Sequence, residues 1–527
     1  MRAWFLLVAA CSGGGHHAVV DGAADAAPDA GPIITHPTNV LGNGGFELGM
    51  VGWGEFVQPD GNGDYGFFLS TDAHGGTYAL ELRCVGPSCA TDFNNRGFII
   101  TNPFHMPANQ TYTLTFWAKC ASGADAFFYT ESAATPYLVQ KITCTGDWTQ
   151  NTVSFTALPT DRDGTFYFYN HSTGSLFLDD VVLAYADGPL PDHVLLHPGT
   201  RTVTTDGTRI TVDGKPFYAL GFFNVPYDQL DQVAAIHGAN MVTTAGGQAL
   251  VDVFNDGREP YPDRAYDLGL TVVPNLTETA RLGVPDVFPR IMNAFGAHLA
   301  NVTFYLADEP DQAFYKYSLI DPAVMQQEVA AAHTVSTLPL VADLQHAHYD
   351  PPSVDKPFEI AEDIYASEPY QEDASGITQT FTVFGAMTPR PVWIFDDNHA
   401  DPSTVVPKAY YGTILGATGL AFFDWPGLDA ANRAADAQAI DELSQLTDVI
   451  FADPATVTAS GGVAVMARSY HGKTYVLAVN PTSATVQATF TAPGATAIDV
   501  MFEQRTLTGN GSFTDTFAGL SRHVYTY

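Results

Sequence analysis

The sequence predicts a multidomain chain: an N-terminal β-sandwich over 40–188, a central (β/α)8 TIM barrel over 200–452 and a small C-terminal β-sandwich over 455–527. Three observations predict it. Between Val40 and Gly188, short runs alternate apolar and polar residues between Gly, Asn and Asp turns, the pattern of half-buried antiparallel strands. From Thr205 to Ile450, apolar runs alternate with helix-length amphipathic stretches, the βα alternation of a parallel sheet. After Gly462 the period of two returns, with Gly, Asn and Pro turns.

Charge narrows the partners first. The 527 residues hold 22 Lys and Arg against 57 Asp and Glu, a formal charge of −35 with a pI near 4.4. A chain this acidic has no basic face for neutralising phosphates, which excludes nucleic acid as a partner. With 46% hydrophobic and 15% charged residues the composition is globular rather than disordered. Aromatics at 12% lean toward β-rich domains and stacking surfaces. Neutral partners remain open.

The first segment reads as an address. Met1-Arg2, the apolar run Ala3 to Ala10 and then Cys11 have the layout of an export signal over 1–11. Val8-Ala9-Ala10-Cys11 resembles a bacterial lipobox, which implies that Cys11 becomes the lipidated first residue of an envelope lipoprotein, periplasmic or on the cell surface. Residues 12–39 are rich in Gly, Ala, Asp, His and Pro and read as a flexible tether. No other stretch reaches the ~18 apolar residues of a membrane helix, so the expected membrane contact is the lipid anchor alone. Setting Cys11 aside leaves Cys84, Cys89, Cys120 and Cys144, an even number in one region, as disulfides in an oxidising compartment require. Of the three pairings, Cys84–Cys89 with Cys120–Cys144 is favoured: the first two share a loop, and the others sit on segments that read as adjacent strands. No CxxC or Cys/His spacing suggests zinc.

The strands of the first sandwich include Tyr78 to Leu82, Tyr112 to Lys119, Thr152 to Phe155, Thr165 to Tyr169 and Leu176 to Leu183. Asn43-Gly44-Gly45-Phe46-Glu47 with Trp53, the Tyr112 strand, Trp148 and Leu178-Asp179-Asp180-Val181 resemble the jelly-roll carbohydrate-binding modules of families four and nine. That resemblance implies aromatics stacked on sugar rings at a cleft or loop edge, with Trp53, Tyr65, Phe67, Phe68 and Tyr129 as candidates, while Trp117 and Trp148 are expected in the core. It also implies a structural calcium near the chain ends, where Glu47 and Asp180 fall; hard carboxylate oxygens suit that ion.

The barrel strands are expected at 217–224, 239–244, 270–275, 302–307, 339–344, 361–366, 391–395 and 419–423. A doubly wound sheet is the alternative, but no G-x-G-x-x-G follows the first run. In a barrel the chemistry sits just after the strands. Those positions hold Asn224, Asn275, Asp308-Glu309-Pro310-Asp311, Gln345-His346, Ser367-Glu368-Pro369-Tyr370, Asp396-Asp397-Asn398 and Asp424-Trp425. Several carboxylates at one mouth suit acid/base work on a glycosidic bond, with one proton donor and one carboxylate that attacks or activates water. No cofactor is needed for that chemistry. A metal site is the rival reading of the cluster, but His346 and His348 lack a partner spacing.

Motifs sharpen the expectation. Asp213-Gly214-Lys215-Pro216-Phe217 leading to Gly221-Phe222-Phe223-Asn224, and Tyr305-Leu306-Ala307-Asp308-Glu309-Pro310, resemble the first and fourth barrel strands of clan A glycoside hydrolases. By that resemblance Glu309 is the acid/base. Asp308 stands where the clan has Asn for the sugar 2-hydroxyl, and Trp425 falls where it places an aromatic floor. Asn224, Asn275, Gln345 and Tyr370 are the further sugar-contact candidates. The clan's strand-seven Glu is absent; Asp397 and Asp396 stand there, and Glu368 is the other candidate for the second carboxylate. The expected function is a lipid-anchored glycoside hydrolase acting on a polysaccharide or oligosaccharide. A non-catalytic glycan-binding lipoprotein with a degenerate barrel is the alternative, kept open by strand seven. An esterase is disfavoured because no G-x-S-x-G elbow is present.

Overall fold

The computed structural model describes residues 39–57, 65–86, 89, 97–101, 103–121, 126–131, 138–160, 162–170, 173–186, 196–243, 258–311, 320–348, 352–359, 363–369, 374–397 and 401–527. Cys11 and Tyr370 lie outside the described residues, as do the side chains of Tyr129, His346, His348 and Asp397. No helix among the described residues is long and apolar enough to cross a membrane.

The N-terminal domain is a sandwich of two antiparallel sheets. One orders Trp53–Val57, Gly97–Thr101, Arg162–Asn170, Ala126–Glu131 and Leu138–Lys141, and the other Tyr65–Ser70, Ala79–Cys84, Leu176–Tyr185, Thr111–Cys120 and Thr149–Thr156. Thr111–Cys120 shows why: Tyr112, Leu114, Phe116 and Ala118 face the core, and the residues between them face outward. Asn43 holds the entry loop, its amide donating to the Gly49 and Val51 carbonyls at 2.9 Å each and its Oδ1 accepting from the Leu48 amide. The disulfides are Cys84–Cys89 and Cys120–Cys144, the pairing favoured from sequence.

The chain falls into two compact units. One runs to Arg201 and takes in Pro226–Leu230 and Thr243–Leu338; the other holds Thr202–Val225, Asp231–Val242 and Pro339–Tyr527. The middle of the chain supplies eight parallel barrel strands, numbered here in chain order: Ala219–Phe222, Met241–Thr243, Thr271–Val273, Phe304–Asp308, Leu340–Asp343, Ile364–Ser367, Val392–Asp397 and Gly419–Phe423. Each overlaps one of the eight apolar runs. Their order in the sheet, 3-2-1-8-7-6-5-4, is that of a nearly closed barrel. Within the first unit, strands three and four meet through parallel bridges at Val272–Asn301 and Asn275–Tyr305. Within the second, strands five to eight, one and two follow one another. Strand one needs Gly221, since a Cβ there would lie 1.8 Å from the Met241 carbonyl oxygen on strand two.

The C-terminal domain has two antiparallel sheets around Val476, Phe490, Phe513 and Tyr525. Arg522 pairs with Glu442 on helix Ala430–Gln445 of the same unit, tying this domain to that helix.

One buried acid gives this fold a pH signature. Glu328, on helix Pro322–Ala332, is fully buried with no hydrogen-bond partner among the described residues, and burial pushes its carboxyl up to about 9. The folded state therefore holds a proton that the unfolded chain releases above its ordinary value near 4.5. Stability falls as pH rises through that window and levels off above the folded value. Glu328→Gln, which cannot ionise, is expected to raise the melting temperature at pH 8 and change it little at pH 4; equal effects at both pH values would contradict the assignment.

Candidate active site

The strand-four motif is built from buried residues. Phe304, Tyr305, Leu306 and Ala307 are fully buried, and Asp308 ends the strand half-buried. Asp308 Oδ1 accepts the Tyr305 hydroxyl at 2.8 Å, and its amide donates to Thr277 Oγ1 at 2.9 Å. Burial pushes the Asp308 carboxyl up, opposed by the Tyr305 hydrogen bond and the charge of Arg281. Glu309 follows with φ +46°, a left-handed conformation that a non-glycine residue holds only under constraint. Asn275, at the end of strand three, spends its Oδ1 on the Thr277 amide at 2.8 Å and is nearly buried. It caps a turn, so the expected sugar contact is not formed by that oxygen.

The second unit holds the other strand ends. Asp343, ending strand five, and Glu368, just after strand six, are both buried and bring carboxylate oxygens within 4.8 Å of one another. Gln345 is buried beside this pair in sequence. Asn224 follows strand one with φ +57°, and its Oδ1 is buried with no partner among the described residues, leaving an acceptor open to a donor such as a hydroxyl.

Several expected roles are corrected. Asp396 forms an ion pair with Lys408 of helix Val405–Leu415, both side chains at most 3% exposed. That pair spends one Asp396 oxygen on a buried lysine. Trp425 is 3% exposed, with its ring edge-on to Phe222 at 4.6 Å and the Arg433 guanidinium 4.3 Å over it. It fills the barrel rim and offers no free face as a floor. Trp53, Tyr65 and Phe67 are core residues: Trp53 packs on Phe46 and donates Nε1 to the Asn43 carbonyl, and the Tyr65 hydroxyl donates to the Cys89 carbonyl at 2.7 Å. Phe68 lies half-buried under Arg83. Trp117 and Trp148, expected in the core, are half-buried on the outer face, where His74 stacks on Trp117 at 3.8 Å.

Sequence reading missed a stacked pair on the other sheet. Phe166 and Phe168 are fully buried, and half-buried Tyr167 stacks with nearly buried Tyr169, rings 6.0 Å apart and 11° from parallel. In backbone register Tyr167 lies opposite Tyr129, and Tyr169 opposite Phe127 and Phe98. The alternation in Phe166 to Tyr169 carried the signal.

Glu47 and Asp180, the acids expected to bind calcium, lie near Gly45 together with Asp179. Around Gly45, a Cβ would lie 3.8 Å from Asp180 Oδ1, 3.9 Å from Asp179 Oδ1 and 4.0 Å from Glu47 Cγ. Asp179 is buried and its carboxyl is pushed up to about 7, chiefly by burial. Glu47 Oε1 accepts from the Tyr78 amide at 2.8 Å, and Asp180 pairs with His74 at 2.6 Å. Glu47 is paired with Arg290 as well, and among the described residues these three acids do not bring ligand oxygens together as a metal-holding group.

Residues 38–174 match the family described as "Carbohydrate binding domain", CBM_4_9. The N-terminal sandwich carries this family's pattern. No curated protein matches the chain. Among solved structures, a GH30 endoxylanase from Clostridium papyrosolvens is similar at 14% identity over 62% of this chain and 99% of that one, with a TM-score of 0.39. An α-amylase from Geobacillus thermoleovorans is similar at 11% identity over 59% of this chain and 98% of that one, TM-score 0.42. TmCBM61, solved with β-1,4-galactotriose, is similar at 17% identity over 28% of this chain and 98% of that one, TM-score 0.22. Likenesses at these scores carry no functional weight.

Proposed function

We propose that the chain is an exported glycoside hydrolase that binds a polysaccharide or oligosaccharide through its N-terminal sandwich and cleaves it with carboxylates at the barrel strand ends. The observation that carries this reading is Asp308-Glu309-Pro310 at the carboxyl end of a buried parallel strand, in a chain whose first domain matches a carbohydrate-binding family. Glu309 is the proton donor. Its partner carboxylate is Glu368 or Asp397, since Asp396 is neutralised by Lys408. Asn224 and Asp308 supply polar contacts, and half-buried Tyr167 offers an aromatic ring on the sandwich. Incubation of the purified protein with a polysaccharide panel tests this: new reducing ends support hydrolysis, and binding without them supports the alternative, a glycan-binding protein with a degenerate barrel. The missing strand-seven Glu and the Asp396–Lys408 pair favour that alternative.

We further propose a lipid anchor at Cys11, on the sequence alone. Two disulfides fit the oxidising compartment this requires. Cys11→Ala is expected to move the protein from the membrane to the soluble fraction on expression in a bacterium. Unchanged membrane association removes the anchor.

A further inference from the structure

The first unit contains a mechanical link between the sandwich and the strand-four acids. Helical turn Thr277–Ala280 begins two residues after Asn275, and its Thr277 and Thr279 side chains are nearly buried. On one side it is gripped by the sandwich. Met50 donates its amide to Thr279 Oγ1 at 3.2 Å, and Gly49, at φ +63°, comes so close that a Cβ there would lie 2.7 Å from Thr279 Cγ2. The neighbouring helix Val287–Phe295 is held by the same loop, since Arg290 pairs with Glu47 and donates to Thr77 Oγ1 at 3.2 Å. On its other side the turn grips the acid strand. Thr277 Oγ1 accepts the Asp308 amide, Asn275 Oδ1 accepts the Thr277 amide, and Arg281, paired with Glu278 at 3.4 Å, acts electrostatically on Asp308.

We propose that the Glu47–Met50 loop of the sandwich positions Asp308 and Glu309, acting through the turn Thr277–Ala280. The sandwich is then a brace for the acid strand as well as a sugar-binding module. Thr277, Thr279 and Arg281 are positioning residues. Glu309 sits in a conformation that only its surroundings can maintain, so a support that reaches Asp308 through two side-chain hydroxyls bears directly on the neighbouring acid. This inference rests on the glycoside hydrolase reading only for its catalytic consequence; the coupling itself is independent of turnover.

The test is hydrogen exchange on the full chain, comparing wild type with Thr279→Val, Thr279→Ser and Gly49→Ala. Thr279→Val keeps the shape and removes the hydroxyl, whereas Thr279→Ser restores it. Exchange in peptides spanning 304–311 is expected to accelerate about tenfold in Thr279→Val and Gly49→Ala and to return toward wild type in Thr279→Ser. Peptides spanning 111–120, in the sandwich core, are expected to remain unchanged. Unaltered exchange at 304–311 in Thr279→Val, no rescue by Thr279→Ser, or equal acceleration at 111–120 overturns the proposal. Because no substrate is involved, failure of the brace is distinguishable from failure of the hydrolase reading, which the reducing-end assay reports.

Discussion

Glu309→Gln is expected to cut turnover by about 10²–10⁴ on a glycoside with a poor leaving group, the usual weight of general acid catalysis. The amide keeps the side chain's size and hydrogen-bonding capacity but cannot deliver a proton to the departing oxygen. Substrates with good leaving groups depart without that proton and are expected to lose much less. This dependence on leaving group separates loss of an acid from loss of folding, which would depress every substrate alike. Initial rates on an aryl glycoside series of graded leaving-group pKa provide the measurement. For the second carboxylate, Asp397→Asn and Glu368→Gln are compared on the same series; whichever abolishes turnover on all substrates is the partner. The distance between its carboxyl and that of Glu309 then speaks to stereochemistry: about 5–5.5 Å implies retention and about 6.5–9.5 Å inversion.

What the sequence revealed about fold and site follows from how local each signal is. The eight barrel runs were legible because strands buried on both faces need continuous apolar residues such as Val392 to Phe395, and helix-length polar stretches separate them. The disulfides were legible because Cys84 and Cys89 share a loop and Cys120 and Cys144 sit on segments that read as adjacent strands. Side-chain direction at strand ends was not. Asp396 and Asp397 look equivalent in sequence, yet Lys408, twelve positions away on a helix, neutralises the first. Trp53 resembled a platform because it lies beside Gly-rich loops, but those loops are the turns that fold it inward against Phe46 and Phe168. Trp425 was placed correctly by chain position and wrongly by exposure, because Arg433, from the following helix, lies over its ring. The link from Met50 to Thr279 spans more than two hundred residues and no local pattern announces it.

Lys408→Met is expected to destabilise the protein by about 3–5 kcal/mol, because it removes the cation from a buried ion pair and leaves the Asp396 charge in the interior. Methionine matches the aliphatic stem of lysine in length, so little packing is lost and the effect isolates the charge. The same reasoning predicts the double variant. Lys408→Met with Asp396→Leu removes both charges at once and is expected to recover most of the loss, since an apolar pair in a buried site avoids the desolvation that the ion pair must offset. Urea denaturation of wild type, both single variants and the double variant forms a cycle whose coupling term measures the pair directly. A coupling near zero would mean that Asp396 draws its support from elsewhere and would return it to the list of candidate carboxylates. A large coupling, with turnover of the double variant retained on the aryl glycosides, would fix Asp396 as a structural group and leave Glu368 and Asp397 as the partners Glu309 can have.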